Sequence, residues 1–195
     1  PVAELAPIKI GGVTVSKATL HNFDEIKRLD IKIGDTVFLH RAGDVIPKVT
    51  QVNLNKRTGE EKKILVPTKC LSCDSTLYID PSTVIIRCNN GLNCPQQLVQ
   101  SIMHFASKDA LDIDGLGNKQ IKSLQNIGLV KNLSDIFSLQ ENNTKSLVML
   151  KNVSGWGVKS IQNMLDSVLK AKRTSLERFI YSLGIRQIGQ SNAKI

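Results

Sequence analysis

Four cysteines between residues 70 and 94 restrict this chain more than any other feature. They read Cys70-Leu71-Ser72-Cys73, then Cys88 and Cys94, a C-x2-C-x14-C-x5-C pattern that uses every cysteine present. Two thiolates on one tight turn point to the same side. A second close pair completes the tetrahedron that zinc accepts, with sulfur ligands at about 2.3 Å. Between the pairs, Leu77-Tyr78-Ile79 and Thr83-Val84-Ile85-Ile86 flank Asp80-Pro81, which leaves room for the short hairpin of a zinc ribbon. Two disulfides are the other reading, and they need an oxidising compartment. The first pair has strong metal-ligand spacing and the second is wider than the commonest form, so the pattern favours a structural zinc on Cys70, Cys73, Cys88 and Cys94. Four thiolates leave no open position for a water, which argues against a catalytic zinc. So small a segment buries little apolar surface, and a metal would supply its stability.

The remaining composition narrows the partner. Among 195 residues, Lys and Arg number 26 against 17 Asp and Glu, a formal net charge of +9. Such a balance favours a polyanion, with nucleic acid ahead of a membrane surface. No run of 18 apolar residues exists to span a bilayer. The chain opens on Pro1 rather than methionine, so the lack of a secretory signal carries little weight.

Residues 1–66 read as β-rich. Ile8-Lys9-Ile10 and Val13-Thr14-Val15 alternate around Gly11-Gly12, a two-residue hairpin turn. Asn22-Phe23-Asp24-Glu25 has the form of a capping box, with Ile26 and Leu29 facing inward from a short helix. Thr36 to His40, Lys48 to Val52 and Lys63 to Val66 read as further strands. The set suits a small barrel such as an OB-fold, and SH3-like barrels leave a similar trace. The loop 41–47 places Arg41, a bidentate phosphate donor, beside apolar Val45 and Ile46. Those two either fill the barrel core or lie in a DNA minor groove while the arginine holds the backbone. Apolar residues in strands are usually buried, which by itself favours core.

From Pro95 onward the pattern is helical. Pro95 suits a first helical position, and Leu98, Ile102, Phe105 and Ala106 form an apolar stripe. Leu116-Gly117, Trp156-Gly157 and Ile188-Gly189 each put an apolar residue and a glycine before an expected helix start, a repeat whose third copy reaches the chain end. The first two copies lie 40 residues apart and the next pair 32, which suggests an insertion around Gln140 to Lys145. A glycine turn entering a helix brings backbone N–H groups close to a phosphate, and the helix dipole favours negative charge there. Lys119 and Lys159 stand two residues after their glycines, within reach of the same or a neighbouring phosphate. Such contacts ignore base sequence. Leu116, Trp156 and Ile188 read as hairpin core rather than groove wedges. Plain helix-turn-helix packing with glycine caps is the alternative for the repeat. Three copies and two matched lysines favour helix-hairpin-helix DNA binding.

The order of parts, together with specific strings, resembles the middle of a bacterial NAD-dependent DNA ligase. The strings are Pro1-Val2-Ala3-Glu4-Leu5, Ala18-Thr19-Leu20-His21-Asn22, Arg41-Ala42-Gly43-Asp44-Val45-Ile46-Pro47, the cysteines, Leu111-Asp112-Ile113-Asp114-Gly115 and Leu183-Gly184-Ile185-Arg186. The resemblance implies a multi-domain chain: an OB-fold over 1–66 with its first strand clipped, a four-cysteine zinc finger over 67–95, and an all-α helix-hairpin-helix domain over 96–195, truncated at its end. In the family the zinc finger bridges the other two. The resemblance also reverses the reading of loop 41–47: Arg41 would hold the DNA backbone, with Val45 and Ile46 in the minor groove near a nick. Gly117, Lys119, Gly157, Lys159 and Gly189 would grip phosphates of both strands. The implied partner is nicked double-stranded DNA of any sequence, bound by a monomeric, cytoplasmic, nucleoid-associated enzyme of replication and repair.

The family's chemistry runs through a lysine in a K-x-D-G motif, which takes AMP from NAD in the presence of Mg²⁺. No such motif occurs here; Ile113-Asp114-Gly115 follows Asp112, not lysine. The nucleotidyl-transfer domain is thus expected upstream of Pro1, and a fourth hairpin and a BRCT domain downstream. NAD and Mg²⁺ would bind outside this chain, which holds no catalytic residue of its own. A free-standing, non-enzymatic zinc protein that binds DNA is the competing reading. An RNA-binding, ribosome-associated zinc protein is a weaker one.

Overall fold

The computed structural model describes residues 1–40, 46–79, 85–145 and 149–194. Its contacts divide the chain into two units, one of Pro1–Cys70 and Asp74–Asn89, the other of Leu71–Cys73 and Asn90–Ile195.

The first unit is built on a four-stranded sheet. Strands β1 (Val2–Ile10) and β2 (Val13–Thr19) pair antiparallel through a turn in which Gly11 and Gly12 both hold positive φ, 56° and 80°. That geometry is the tight hairpin turn glycine adopts without strain. Pairing slips between Glu4 and Ile8, the interval that contains Pro7, a residue with no N–H to give the ladder. Helix α1 (Phe23–Arg28) starts at Asn22, whose side chain accepts from the Glu25 N–H at 2.8 Å. The expected capping box is half realised, since the Glu25 carboxylate takes two bonds of 2.7 Å from Arg28.

After a two-residue β3 (Lys32–Ile33), β4 (Val37–His40) and β5 (Lys48–Val52) complete the sheet in the order β1-β2-β5-β4. Val49 and Val52 both face inward although they lie three positions apart, an odd interval on a strand. The register slips between Phe38 and Leu39, and the extra residue on β5 restores the second valine to the core side. Ala18, Leu20, Ile26, Ile31, Val49 and Val52 form that core. The strand expected over Lys63 to Val66 reduces to β6 (Lys62–Lys63), paired with β3. Its partner ends at Ile33, after which Gly34 turns away at φ 100°, and Leu65 is left 81% exposed. Strands β7 (Leu77–Ile79) and β8 (Ile86–Cys88) pair antiparallel as expected between the cysteine pairs, but β8 meets the expected strand Thr83–Ile86 only at Ile86, and Asp80, Pro81, Thr83 and Val84 lie outside the described residues.

The second unit is helical. Helix α2 (Pro95–Ala106) begins on proline and buries Leu98, Ile102, Phe105 and Ala106, the stripe read from sequence. Helix α3 (Asn118–Asn126) follows Gly117, and α4 (Leu139–Lys145) occupies the interval where the longer repeat spacing suggests an insertion. Helices α5 (Val158–Ala171) and α6 (Leu176–Ser182) complete six α-helices among the described residues. One continuous core joins α2, α3 and α5 through Ile102, Phe105, Ile121, Leu124 and Met164, with Leu116 and Trp156 buried in it. The expected core role of those two holds; Ile188 is only half-buried. The third repeat departs from expectation. Gly189 leads into a 3-10 turn over Asn192–Lys194, in which only the Ala193 N–H reaches back four residues, to Gly189 O at 3.0 Å.

Candidate metal centre and nucleic-acid interface

The four cysteine sulfurs converge within 4.8 Å of one another. Local turns bring them there. Cys70 N–H donates to Ser75 O at 2.8 Å and its carbonyl accepts from Asp74 N–H at 2.9 Å, with Asp74 at φ 57° closing the knuckle. On the other side Cys88 ends β8, and a 3-10 turn at Gly91–Asn93 swings Cys94 back. A tetrahedral zinc with 2.3 Å bonds asks for sulfurs about 3.8 Å apart, so small side-chain movements seat one ion among all four. Two disulfides require only pairwise approach and give no reason for mutual convergence. The donor set therefore fits a four-coordinate thiolate metal.

Cys94 is the N-cap of α2 yet makes no side-chain capping bond. The Ser72 hydroxyl accepts from Gln96 N–H at 3.3 Å instead. The thiol at this helix start and the side chain that caps it thus belong to different residues, a division the local sequence around Cys94 does not disclose.

The helical unit carries the two clear glycine turns. Gly117 and Gly157 are the N-caps of α3 and α5, with φ of −79° and −89° that any residue adopts. A Cβ on Gly117 would meet only the tip of Gln120, at 3.1 Å, and one on Gly157 only Ser160 Oγ, at 3.6 Å. Neither backbone strain nor internal crowding demands glycine there. The glycines two residues earlier differ, since Gly115 and Gly155 hold φ of 84° and 86°. Gly117, Lys119, Gly157, Lys159 and Gly189 are all exposed. The first-turn N–H groups of a helix lack intrahelical acceptors and point outward along its axis.

Arg41 and Val45 lie outside the described residues. Ile46 is 72% exposed, so it is not core. Sequence reasoning missed Arg57, which binds Asp35 with two bonds of 2.7 and 2.8 Å and also reaches the Asp30 carboxylate at 2.7 Å. It additionally donates to the Asp30 carbonyl. The Asp35 side chain is 1% exposed, and the guanidinium holds its carboxyl below the ordinary aspartate range. The partners lie 22 and 27 residues from Arg57, so no local pattern marks them.

These features define a class, a β-sheet unit and a helical unit in a chain whose four thiols suit a metal. Residues 1–61 match the family described as the NAD-dependent DNA ligase OB-fold domain. Over all 195 residues the chain is 56% identical to the DNA ligase of Rickettsia conorii and 55% identical to that of Rickettsia bellii, spanning 28% of each. The DNA ligase of Rickettsia akari is similar to the same extent, 56% over the whole chain and 28% of its own length. The chain is thus similar over its whole length to a segment of bacterial DNA ligases, and over residues 1–61 to the OB-fold domain of the NAD-dependent ones.

Proposed function

We propose that this chain is the part of an NAD-dependent DNA ligase that clamps nicked duplex DNA, independent of sequence, while the nick is sealed elsewhere in the enzyme. The observation that carries this reading is the pair of glycines at the starts of α3 and α5. The fold itself tolerates a side chain at both, so the space outside them is what glycine preserves. Lys119 and Lys159, both exposed two residues further on, add charge at the same two places. These two turns make helix-hairpin-helix contacts to phosphates, and exposed Gly189, which opens a 3-10 turn rather than an α-helix, adds a third backbone contact. Exposed Ile46 supports a groove role for loop 41–47, in which Arg41 holds the backbone and Val45 joins Ile46.

Cys70, Cys73, Cys88 and Cys94 would hold one structural zinc, which supplies no reaction chemistry. It orders the cysteine segment between an OB-fold over 1–66 and a hairpin domain over 96–195. Adenylate transfer from NAD, with Mg²⁺, requires a nucleotidyl lysine, and no K-x-D-G is present in the 195 residues.

The test is binding of a labelled nicked duplex across a salt series. Lys119→Ala should reduce the slope of log affinity against log salt by about one, as loss of one phosphate contact does. Gly157→Val should weaken binding roughly tenfold, the worth of one charge-assisted hydrogen bond, without lowering the unfolding temperature. The chain alone should take no label from adenylate-labelled NAD. Unchanged affinity and slope in both variants would remove the hairpins from the interface, and label transfer would reveal a nucleotidyl lysine within this chain.

A further inference from the structure

The two glycine turns are tied to each other's helices. The first turn, Asp112 to Gly117, is fastened to α5. Ser167 on that helix accepts from Asp114 N–H at 2.9 Å and donates to Asp112 O at 3.4 Å. Gly115 lies so close to the same helix that a Cβ there would come within 3.2 Å of Met164 Cβ. The second turn, Ser154 to Gly157, is fastened to α3, because buried Trp156 donates its indole N–H to Ser123 Oγ at 3.0 Å. Each turn therefore rests on the helix that the other turn opens. Neither can shift along its own helix axis without breaking a bond to the other hairpin.

We infer that Ser167, with the Trp156–Ser123 pair, acts as a positioning brace that fixes the separation of the two phosphate-binding turns. The inference rests on the hairpin reading above and adds to it. Two footholds at a fixed spacing that matches the duplex bind together with an effective-concentration advantage. If the spacing wanders, each foothold keeps its own contacts, but ordering them costs affinity at every encounter. Ser167, Ser123 and Trp156 need touch no phosphate to do this. A loss of the brace should lower affinity without removing any counterion-releasing contact.

That combination separates a brace from both a DNA contact and a general fold defect. The whole 195-residue chain, supplied with zinc, is titrated with a nicked duplex over a salt series, well below its unfolding temperature. Ser167→Ala is expected to weaken binding about tenfold while leaving the salt slope unchanged. Ser167→Thr, which keeps the hydroxyl, is expected to restore it, and Trp156→Phe to behave like Ser167→Ala. In the parent chain, the losses from Gly117→Val and Gly157→Val should sum to more than the loss in the double variant, since either one ends the two-point grip. In the Ser167→Ala background that excess should shrink. Affinity within about twofold of the parent for Ser167→Ala and Trp156→Phe, with Gly117→Val and Gly157→Val still weak, would overturn the brace alone. Strong binding by all four variants would overturn the hairpin reading beneath it. A slope lowered by about one in Ser167→Ala would instead make that serine a direct phosphate contact and also overturn the brace.

Discussion

Asp35 keeps its charge with 1% of its side chain exposed, because Arg57 meets it with two parallel bonds and the Lys32 N–H adds a third at 2.7 Å. Both Asp35 and Asp30 are held below the usual aspartate range, in each case chiefly by the Arg57 hydrogen bond. A carboxylate depressed in the folded state stabilises the fold above its unfolded pKa of about 3.9 and loses that contribution as pH falls through the folded value. The unfolding temperature of the sheet unit is therefore expected to drop as pH goes from about 5 to below about 4, and to drop less in Asp35→Asn. Circular dichroism melts across that window check it; equal pH dependence in the two proteins would exclude the network as its source. Gly115 and Gly117 supply a second contrast. Gly115→Ala must hold φ 84° and press on Met164, and is expected to cost about 1–2 kcal/mol in a denaturant titration. Gly117→Ala, with φ −79°, is expected to be close to neutral.

Among the elements, those legible in the sequence are the ones whose cause is local. The β1–β2 hairpin announces itself through Gly11-Gly12, and α2 through Pro95 and its apolar stripe; both stand where the pattern puts them. The Asn22 cap is equally plain, whereas the fate of the Glu25 half of the box is not, because Arg28 competes for that carboxylate. Sequence over-reads β6, since the apolar run Ile64-Leu65-Val66 after Lys63 says nothing about how short its partner strand is. Ser72 capping α2 from 24 residues away leaves no local trace at all. The convergence of four thiols is readable from spacing, though the turns that achieve it depend on Asp74 in a left-handed conformation. At this scale one expectation is metallic. The purified, reduced chain should carry one zinc, and a strong chelator or Cys88→Ser should speed amide exchange over roughly residues 67–95. Absence of zinc by elemental analysis would sink it.

At the scale of the whole molecule, charge and edges decide behaviour in solution. The +9 balance makes binding to any polyanion steeply salt-dependent, so an affinity has meaning here only with its ionic strength stated. The slip in β1 pairing has a different consequence. Within the sheet of described residues β1 is an edge strand, and it exposes Val2 at 61% and Ile8 at 50%. A regular edge with such side chains is a template on which a second molecule can add a strand. Pro7 interrupts it, removing one donor and falling in the interval where the register shifts. Restoring regular pairing with Pro7→Thr is expected to leave the melting temperature within a few degrees while raising concentration-dependent light scattering. Among the described residues, the irregularity in this strand thus leaves a sheet edge ill-suited to pairing with a second copy.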